Sequence, residues 1–486
     1  MLNVAVVSVV TPLLGAFACV VSHWLTGRSR EHWIAMTALS ISAVTSLYML
    51  IAVLTHGAQT YLIGDWSPPW GIVYVTDPFN AALICLLAWG SLLNLMGVRR
   101  EITERFPDKT QAFYALYLLC TAGHLGIVST GDAFNLYVLV EISALSGYAL
   151  LSMGTGRSQL TSLNYLLMGS VGASFYLLGI GFLYMKTGTL NMADMHHLLE
   201  PLVHTPVVLA ALAIIIVGLA VKMALFPFHS WLPGAYGEAT PVAASLIAPM
   251  TTKVMAYALI RITLAVLPPS LMASVPAFSE IMVWTATAAI VVGGVMALAQ
   301  RELRRMLCFI LVAEVGYMAG GIFIGNHTAL TGAVLHVFAD AAMTLCVFMA
   351  MANISRRRGT LRFENLRGLF GAMPWTMTAF TAGALSMIGV PPFCGFFSKW
   401  YLVKGAMEAG QWPFVVALIL SSLVNALLFF RVFELAFFER GCEECSDVRW
   451  TRLAPLAVVA AALPLIGLAT GPIVQRVITP LFTLAS

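Results

Sequence analysis

Runs of about twenty apolar residues recur along almost the whole chain, and this repetition limits the fold more than any other feature. A helix needs about 20 such residues to cross a bilayer. Charged residues make up only 10% of the 486 positions, whereas soluble domains carry about 25%. The sequence therefore predicts an all-α polytopic membrane protein, a single transmembrane domain over residues 1–486 that is surrounded by a lipid bilayer.

A search for such runs gives about fourteen transmembrane helices. They cover approximately residues 3–26, 32–55, 77–98, 111–130, 132–153, 162–185, 206–226, 242–267, 278–299, 306–325, 329–352, 374–406, 412–438 and 453–478. The first run is longer than the core of a signal peptide and lacks a basic start and a small-residue cleavage site. We therefore expect it to be retained as a helix.

Lysine and arginine are distributed unequally between the two sets of loops. The loops after odd-numbered spans hold most of the 26 basic residues, including the arginine run at 356–358. Cytoplasmic loops of membrane proteins carry an excess of such residues. This asymmetry predicts an inner (plasma) membrane protein with both chain termini on the outer side.

Two of the spans contain helix-breaking residues at corresponding places. The seventh continues into LFPFHSWLP after Lys222, and the twelfth contains MIGVPPFCGFFSK, which ends at Lys399. Paired Pro/Gly interruptions in the two halves of a chain indicate inverted repeats with a transport site near the midplane. We expect the first inverted repeat at residues 111–267 and the second at residues 278–438, each with one broken helix.

Several ionisable side chains fall inside these spans or beside them. They are Glu141, Lys222, His229, Lys253, Glu314, His336, Asp340 and Lys399. A charge at the bilayer centre costs at least ~2.5–3.5 kcal/mol, so six unpaired charges would cost ~15–20 kcal/mol. We therefore expect these residues to face one another or water, and to form a proton-translocation path.

Glu141 and Lys222 are the first candidate pair. Lys222 is the only charged residue between Pro206 and Glu238, and Glu141 lies well inside the fifth span. A nearby carboxylate favours the charged form of a lysine, whereas burial favours the neutral form. These opposed effects suit a group that binds and releases a proton. The alternative is a buried ion pair that only fixes the packing of two helices.

Lys253 and Glu314 lie deep within the eighth and tenth spans. Lys253 is near the middle of its span, which favours a proton path over snorkelling to an interface. Arg261, eight residues later, is better explained by snorkelling. Glu314 has no neighbour of opposite charge in the sequence, so we expect it to face a cavity or another helix.

His336 and Asp340 are four residues apart and therefore share a helix face. The two together fit a proton relay, or simply a hydrogen bond between them. His229 follows the break in the seventh span. It fits equally well a proton relay or a hydrogen bond to backbone groups that Pro227 frees.

Motifs for other chemistry are absent from the sequence. It contains no phosphate-binding loop, zinc-protease, serine-hydrolase or haem-attachment motif, so we expect no cofactor, no catalytic centre and no nucleic-acid partner. Cys442 and Cys445 form a lone CxxC without a second pair, and the outer-loop segment MADMHHLLEPLVH matches no known metal-site spacing. We therefore expect no metal site.

Six stretches between about residues 110 and 405 carry a family resemblance. They are TGDAFNLYVLVEISALSGYALLSMG, KTGTLNMADM, VKMALFPFHSWLPGAYGEATPVAASLIAP, TTKVMAYALIR, ELRRMLCFILVAEVGYM and GVPPFCGFFSKWYLVKGAM. Together they resemble the antiporter-like subunits of complex I, of membrane-bound hydrogenases and of the multisubunit Mrp cation/proton antiporters. Within this family, the GTLNMAD segment and the compact length are most similar to the D-type subunit of the Mrp antiporters.

The resemblance implies roles for four of the ionisable residues. Glu141 and Lys222 match the family's paired carboxylate and lysine. Lys253 matches the central lysine of the connecting path, and Lys399 matches the terminal lysine near the second half-channel.

The eleventh span departs from the family pattern. Relatives often have H-x-x-x-H-x-x-x-K where this chain has His336, Asp340 and Thr344. Glu314 stands where relatives tend to have a neutral polar residue or a histidine. These differences favour carboxylates in the second half-channel and leave the identity of the translocated ion open.

The sequence therefore predicts a proton-translocating subunit of a complex with other membrane subunits, which moves protons with or without Na⁺. The first hypothesis is the D-type subunit of a monovalent cation (Na⁺)/H⁺ antiporter. The alternative is a proton-pumping membrane subunit of a redox-driven NADH-quinone oxidoreductase or membrane-bound hydrogenase, whose flavin and iron–sulfur centres lie in other subunits. A lipid-modifying transferase or an inert scaffold fits less well, because the charges lie in mid-span.

Overall fold

A computed structural model describes residues 4–26, 30–154, 156–439 and 446–482. The helices of the first half are α1 (Val4–Thr26), α2 (Glu31–His56), α3 (Pro78–Met96), α4 (Arg99–Arg105), α5 (Thr110–Ser129), α6 (Ala133–Ser152), α7 (Arg157–Thr187), α8 (Met192–Leu199), α9 (Pro206–Met223), α10 (Trp231–Glu238), α11 (Pro241–Ile247), α12 (Thr251–Ala265) and α13 (Pro269–Ser274). Those of the second half are α14 (Pro276–Leu298), α15 (Leu303–Phe323), α16 (His327–Arg358), α17 (Leu369–Ala372), α18 (Pro374–Ile388), α19 (Cys394–Glu408), α20 (Trp412–Phe438), α21 (Trp450–Leu468), α22 (Thr470–Ile473) and α23 (Thr479–Phe482).

The helices confirm a multi-pass membrane protein. Within the described ranges, 13 helical segments are long and apolar enough to cross a membrane. They match the predicted spans except the twelfth, which is divided into α18 and α19, each of 15 residues. With that broken helix the spans number fourteen, as the sequence predicts. An antiparallel hairpin of β1 (Gln59–Leu62) and β2 (Val73–Thr76) joins α2 to α3 and was not predicted.

The break in the seventh span is stabilised from within the protein. α9 ends at Met223, and Ala224 adopts a left-handed conformation with φ of 61°. The indole Nε1 of Trp231, at the start of α10, donates a hydrogen bond of 3.0 Å to the carbonyl of Val221. Irregular backbone at membrane depth is tolerated only where its polar groups find such partners.

The break in the twelfth span depends on two glycines. Gly389 ends α18 with φ of 93°, a conformation that glycine adopts without the steric cost of a Cβ. At Gly395, in the first turn of α19, an added Cβ would lie 1.9 Å from the carbonyl oxygen of Ser386. The two half-helices therefore pass so close together that no larger residue fits there.

The eighth span is also broken, which the sequence analysis did not predict. α11 and α12 are separated at residues 248–250, where Pro249 interrupts the helix. A proline displaces the carbonyl four residues earlier, which here belongs to Ser245. The side-chain amide of Asn94 donates a hydrogen bond to that carbonyl. Lys253 therefore lies in the first turn of α12, directly after the break.

Three spans form the centre of the bundle. The most apolar windows of α11–α12, α15 and α16 are completely buried inside the protein, whereas those of α1, α2, α7 and α21 are less than half buried. Ionisable residues on α12, α15 and α16 therefore face protein rather than hydrocarbon.

Candidate functional site

Glu141 on α6 and Lys222 on α9 form an ion pair, as their predicted role requires. The Lys222 ammonium Nζ donates to Glu141 Oε1 at 2.9 Å. The lysine side chain is 5% exposed and the glutamate side chain 21% exposed. Lys222 also lies in the last turn of α9, where the helix dipole favours a cation.

Lys253 on α12 pairs with Asp340 on α16. Its Nζ lies 3.0 Å from Asp340 Oδ2 and 3.4 Å from Thr344 Oγ1. The Thr344 hydroxyl in turn donates to Asp340 Oδ1 at 2.7 Å. All three residues are 0% exposed, which excludes snorkelling of Lys253. The sequence identified Lys253 and Asp340 as candidates but did not pair them.

Glu314 on α15 contacts His336 on α16. The His336 Nε2 lies 2.6 Å from Glu314 Oε2, and its Nδ1 lies 2.9 Å from the hydroxyl of Ser398 on α19. The expected cross-helix partner of Glu314 is therefore His336. The alternative of a hydrogen bond between His336 and Asp340 is not found in the described part of the chain, because His336 contacts α15 and α19 whereas Asp340 contacts Lys253 on α12. With a carboxylate on one ring nitrogen and a hydroxyl on the other, the imidazole can pass a proton across itself.

Lys399 on α19 faces the broken end of α18. Its Nζ donates to the carbonyl of Met387 at 2.7 Å and lies 3.4 Å from Ser422 Oγ. The free carbonyls at a helix C-terminus carry partial negative charge, so they stabilise the ammonium without a carboxylate. The Nζ also lies 5.0 Å from the ring centroid of Tyr317, whose ring packs against His336 at 5.2 Å.

The charges of this central cluster cancel. Lys253 and Lys399 contribute two positive charges, and Asp340 and Glu314 contribute two negative charges. A neutral His336 leaves the cluster at zero. All five residues lie in the buried interior. A proton that is added to the cluster or removed from it therefore leaves a net charge inside the membrane-spanning part of the protein.

His229 is not joined to these contacts in the described part of the chain. Its ring stacks on Phe226 with 5.5 Å between centroids, and its Nδ1 is buried without a hydrogen-bond partner among the described residues. The Val221 carbonyl near the end of α9 accepts from Trp231.

His124 on α5 is a residue that the sequence analysis missed. It is buried, and its Nε2 lies 3.4 Å from the hydroxyl of Thr251 in the first turn of α12. This places an imidazole beside the turn that carries Lys253. The available signal was a lone histidine in the apolar fourth span.

Arg261 does not snorkel, so that expectation is wrong. The side chain is buried, and its Nη2 lies 2.5 Å from Oδ2 of Asp77, the N-cap of α3. Arg261 also lines a cavity of about 830 Å³ together with His196, His197 and Glu200. The Cys442–Cys445 pair lies outside the described residues.

Comparison with known proteins identifies the family of the chain. The family model described as "NADH:quinone oxidoreductase/Mrp antiporter, TM" matches residues 130–424, a range that contains all eight ionisable candidates. The chain belongs to this family. It is 43% identical over 437 residues to NADH-quinone oxidoreductase subunit N of Desulforudis audaxviator, covering 90% of this chain and 87% of that protein.

Antiporter subunits are also among its relatives. The chain is 27% identical over 476 residues to the D-type Na(+)/H(+) antiporter subunit of Alkalihalophilus pseudofirmus, covering 96% of this chain and 95% of that protein. A solved structure of an archaeal respiratory complex, the membrane-bound sulfane sulfur reductase, contains a chain that superposes with a TM-score of 0.91 at 29% identity. That match covers 99% of this chain and 98% of the other. Both functional hypotheses are therefore represented among its relatives.

Proposed function

We propose that this family member translocates protons as one subunit of a multisubunit membrane complex. The path begins at Glu141 and Lys222, continues at Lys253 and Asp340, and ends beyond Glu314, His336 and Lys399. The observation that carries the proposal is the series of charge contacts on α6, α9, α12, α15, α16 and α19, at depths where an unpaired charge is costly.

Pair switching supplies the mechanism. At 3.0 Å an ion pair is worth about 5.5 kcal/mol at an effective dielectric constant of about 20. Moving one charge against 100 mV requires about 2.3 kcal/mol. Separation of a carboxylate from its lysine therefore changes the free energy of the proton on the lysine. This change is larger than the energy that is needed to move one charge against the membrane potential. The lysine then gives its proton to the next group along the path.

Transport by the reconstituted complex tests this mechanism. Lys222→Met and Glu141→Gln keep the size of each side chain and remove its charge, and Lys222→Ala and Glu141→Ala remove the side chains. We expect proton-coupled transport to be lost in vesicles with each variant. Lys404→Gln is the matched control, because Lys404 is an exposed lysine whose ion-pair partner in the described part of the chain is Glu408, one turn away. Full transport by both alanine variants would exclude the mechanism.

The parent complex is the second part of the proposal. The first hypothesis is an Na⁺/H⁺ antiporter, in which the chain acts as the D-type subunit. One observation favours the alternative, a redox-driven complex: the relative of that name is 43% identical, whereas the antiporter relative is 27% identical. Co-purification separates the two. Small membrane partners and transport that depends on Na⁺ support the antiporter, whereas iron–sulfur partners support the redox-driven complex.

The orientation and the repeats complete the proposal. The excess of basic residues in one set of loops supports a plasma-membrane protein with both termini outside, and the broken spans support inverted repeats at residues 111–267 and 278–438. Tags added at the two termini should be accessible to a protease from outside intact cells. Protection of either tag would contradict the orientation.

A further inference from the structure

An arginine-rich cleft opens at one end of the bundle, away from the line of ion pairs. It has a volume of about 380 Å³ and lies where α3 and α16 end and where α2 and α21 begin. Six arginines line it, and we call it the arginine cleft: Arg99, Arg100, Arg356, Arg357, Arg449 and Arg452. Its volume lies within the range of about 300–1,000 Å³ that is typical of small-ligand sites.

Positive charge in the cleft is only partly compensated. Glu101 Oε2 accepts a hydrogen bond of 2.7 Å from Arg452, and Arg356 pairs with Glu104 at 2.9 Å. Among the described residues, Arg99, Arg100 and Arg449 have no carboxylate within 4.0 Å, so the cleft has a net positive charge.

Arg452 provides an independent sign of a missing ligand. The residue is 8% exposed, and its Nη1 is buried with no hydrogen-bond partner in the described part of the chain. Leaving such a donor unsatisfied is unfavourable, and more so for a charged group. An acceptor that enters the cleft would remove this cost.

The position of the cleft identifies the kind of acceptor. Trp33 and Trp450 are exposed beside it, and the Arg99 guanidinium lies 5.4 Å from the Trp33 ring. Exposed tryptophans mark the level of lipid headgroups, and arginine forks match phosphate oxygens in pairs. Basic pockets between transmembrane helices on the cytoplasmic side bind anionic headgroups.

We propose that the arginine cleft binds the phosphate headgroup of an anionic phospholipid. The bound headgroup accepts from Arg452 Nη1 and neutralises the unpaired arginines at the rim. It also links the start of α21 to the end of α16, the helix that carries His336 and Asp340. This proposal rests on the orientation proposed above, but it uses none of the residues of the proposed transport path.

Lipid binding by the delipidated full-length protein in non-ionic detergent tests the proposal. The ligand is a soluble short-chain phosphatidylglycerol, and calorimetric titration gives its Kd. Arg100→Gln combined with Arg449→Gln removes two exposed charges that have no carboxylate partner. At about 1 kcal/mol for each basic residue near the surface, we expect about thirtyfold weaker binding. Arg157→Gln combined with Arg301→Gln makes the same charge change at exposed arginines outside the cleft and should leave the Kd unchanged.

Other ligands and the intact complex complete the test. Short-chain phosphatidylcholine should not bind. If the thermal midpoint of the double variant without lipid is lower than that of the wild type, the single variants R100Q and R449Q are measured in its place. Equal affinity of the wild type and the cleft variants would overturn the proposal. Inorganic phosphate binding as tightly as the lipid would assign the cleft to a soluble anion instead. Loss of lipid binding in the intact complex would assign it to an acidic segment of a neighbouring protein in that complex.

Discussion

Asp340→Asn is the sharpest test of the central cluster. The amide has nearly the same shape as the carboxylate and can still accept the hydrogen bond from Thr344, which now measures 2.7 Å. The charge opposite Lys253 is lost, and the oxygen that faces its ammonium is replaced by an amide NH2 that cannot accept a hydrogen bond, at a site where both partners are 0% exposed. The variant therefore removes the ion pair while the size of the side chain is kept.

The size of the effect follows from the contact distance. At 3.0 Å the attraction is about 5.5 kcal/mol with an effective dielectric constant of about 20. Measured losses for removing one partner of a buried pair are about 3–5 kcal/mol. We therefore expect Asp340→Asn to lower the free energy of unfolding by about 3–5 kcal/mol, and to abolish proton transport.

A second variant separates stability from transport. Lys253→Met combined with Asp340→Asn removes the uncompensated buried charge but leaves a buried amide NH2 without an acceptor, so it should recover part of the lost stability. It should not recover transport, because no group remains there to carry the proton. Unfolding in mixed micelles gives the stability, and acidification of vesicles gives the transport rate. Transport at the wild-type rate by the double variant would refute the reasoning.

Two further predictions concern the break in the twelfth span and helix α8. Gly395→Ala should destabilise the protein by about 1–3 kcal/mol or more, because the added Cβ would lie 1.9 Å from the carbonyl oxygen of Ser386. Gly371→Ala is the control, because its Cβ meets nothing within 4 Å. Equal thermal midpoints of the two variants would contradict the close approach at Gly395. Burial, and then His197, lower the pKa of His196 below 6.5, so the folded chain binds this proton less readily than the unfolded chain and loses stability as the pH falls through 6.5. His197→Gln should raise the titration midpoint of His196 measured by NMR, and a midpoint that stays or falls would disprove that influence.

The membrane class, the number of spans and two of the breaks could be predicted from the sequence. Hydropathy predicts spans because a helix that crosses a bilayer must satisfy its own backbone and cover itself with apolar side chains. The residues inside the spans were recognisable as candidates for the same reason, since charge at that depth is costly. The pairing of Glu141 with Lys222 was predicted from the residues and from the family resemblance.

Other parts of the site depended on packing between distant segments. The break at Pro249 depends on a residue from another helix, because Asn94 donates a hydrogen bond to the carbonyl of Ser245. Snorkelling of Arg261 was a fair expectation from its position near a span end, but Asp77 binds it in the interior. Sequence spacing also suggested a contact between His336 and Asp340, whereas the structure joins them to Glu314 on α15 and Lys253 on α12, respectively.

The sequence by itself determined that charged groups must lie inside the membrane and that the two spans carrying Lys222 and Lys399 must be broken. It could do so because hydropathy and helix-breaking residues act within one segment. Only the tertiary structure decided that Lys253 faces Asp340 and that Glu314 faces His336. Those contacts join helices far apart in the chain, and their geometry is set by how α12, α15 and α16 pack together.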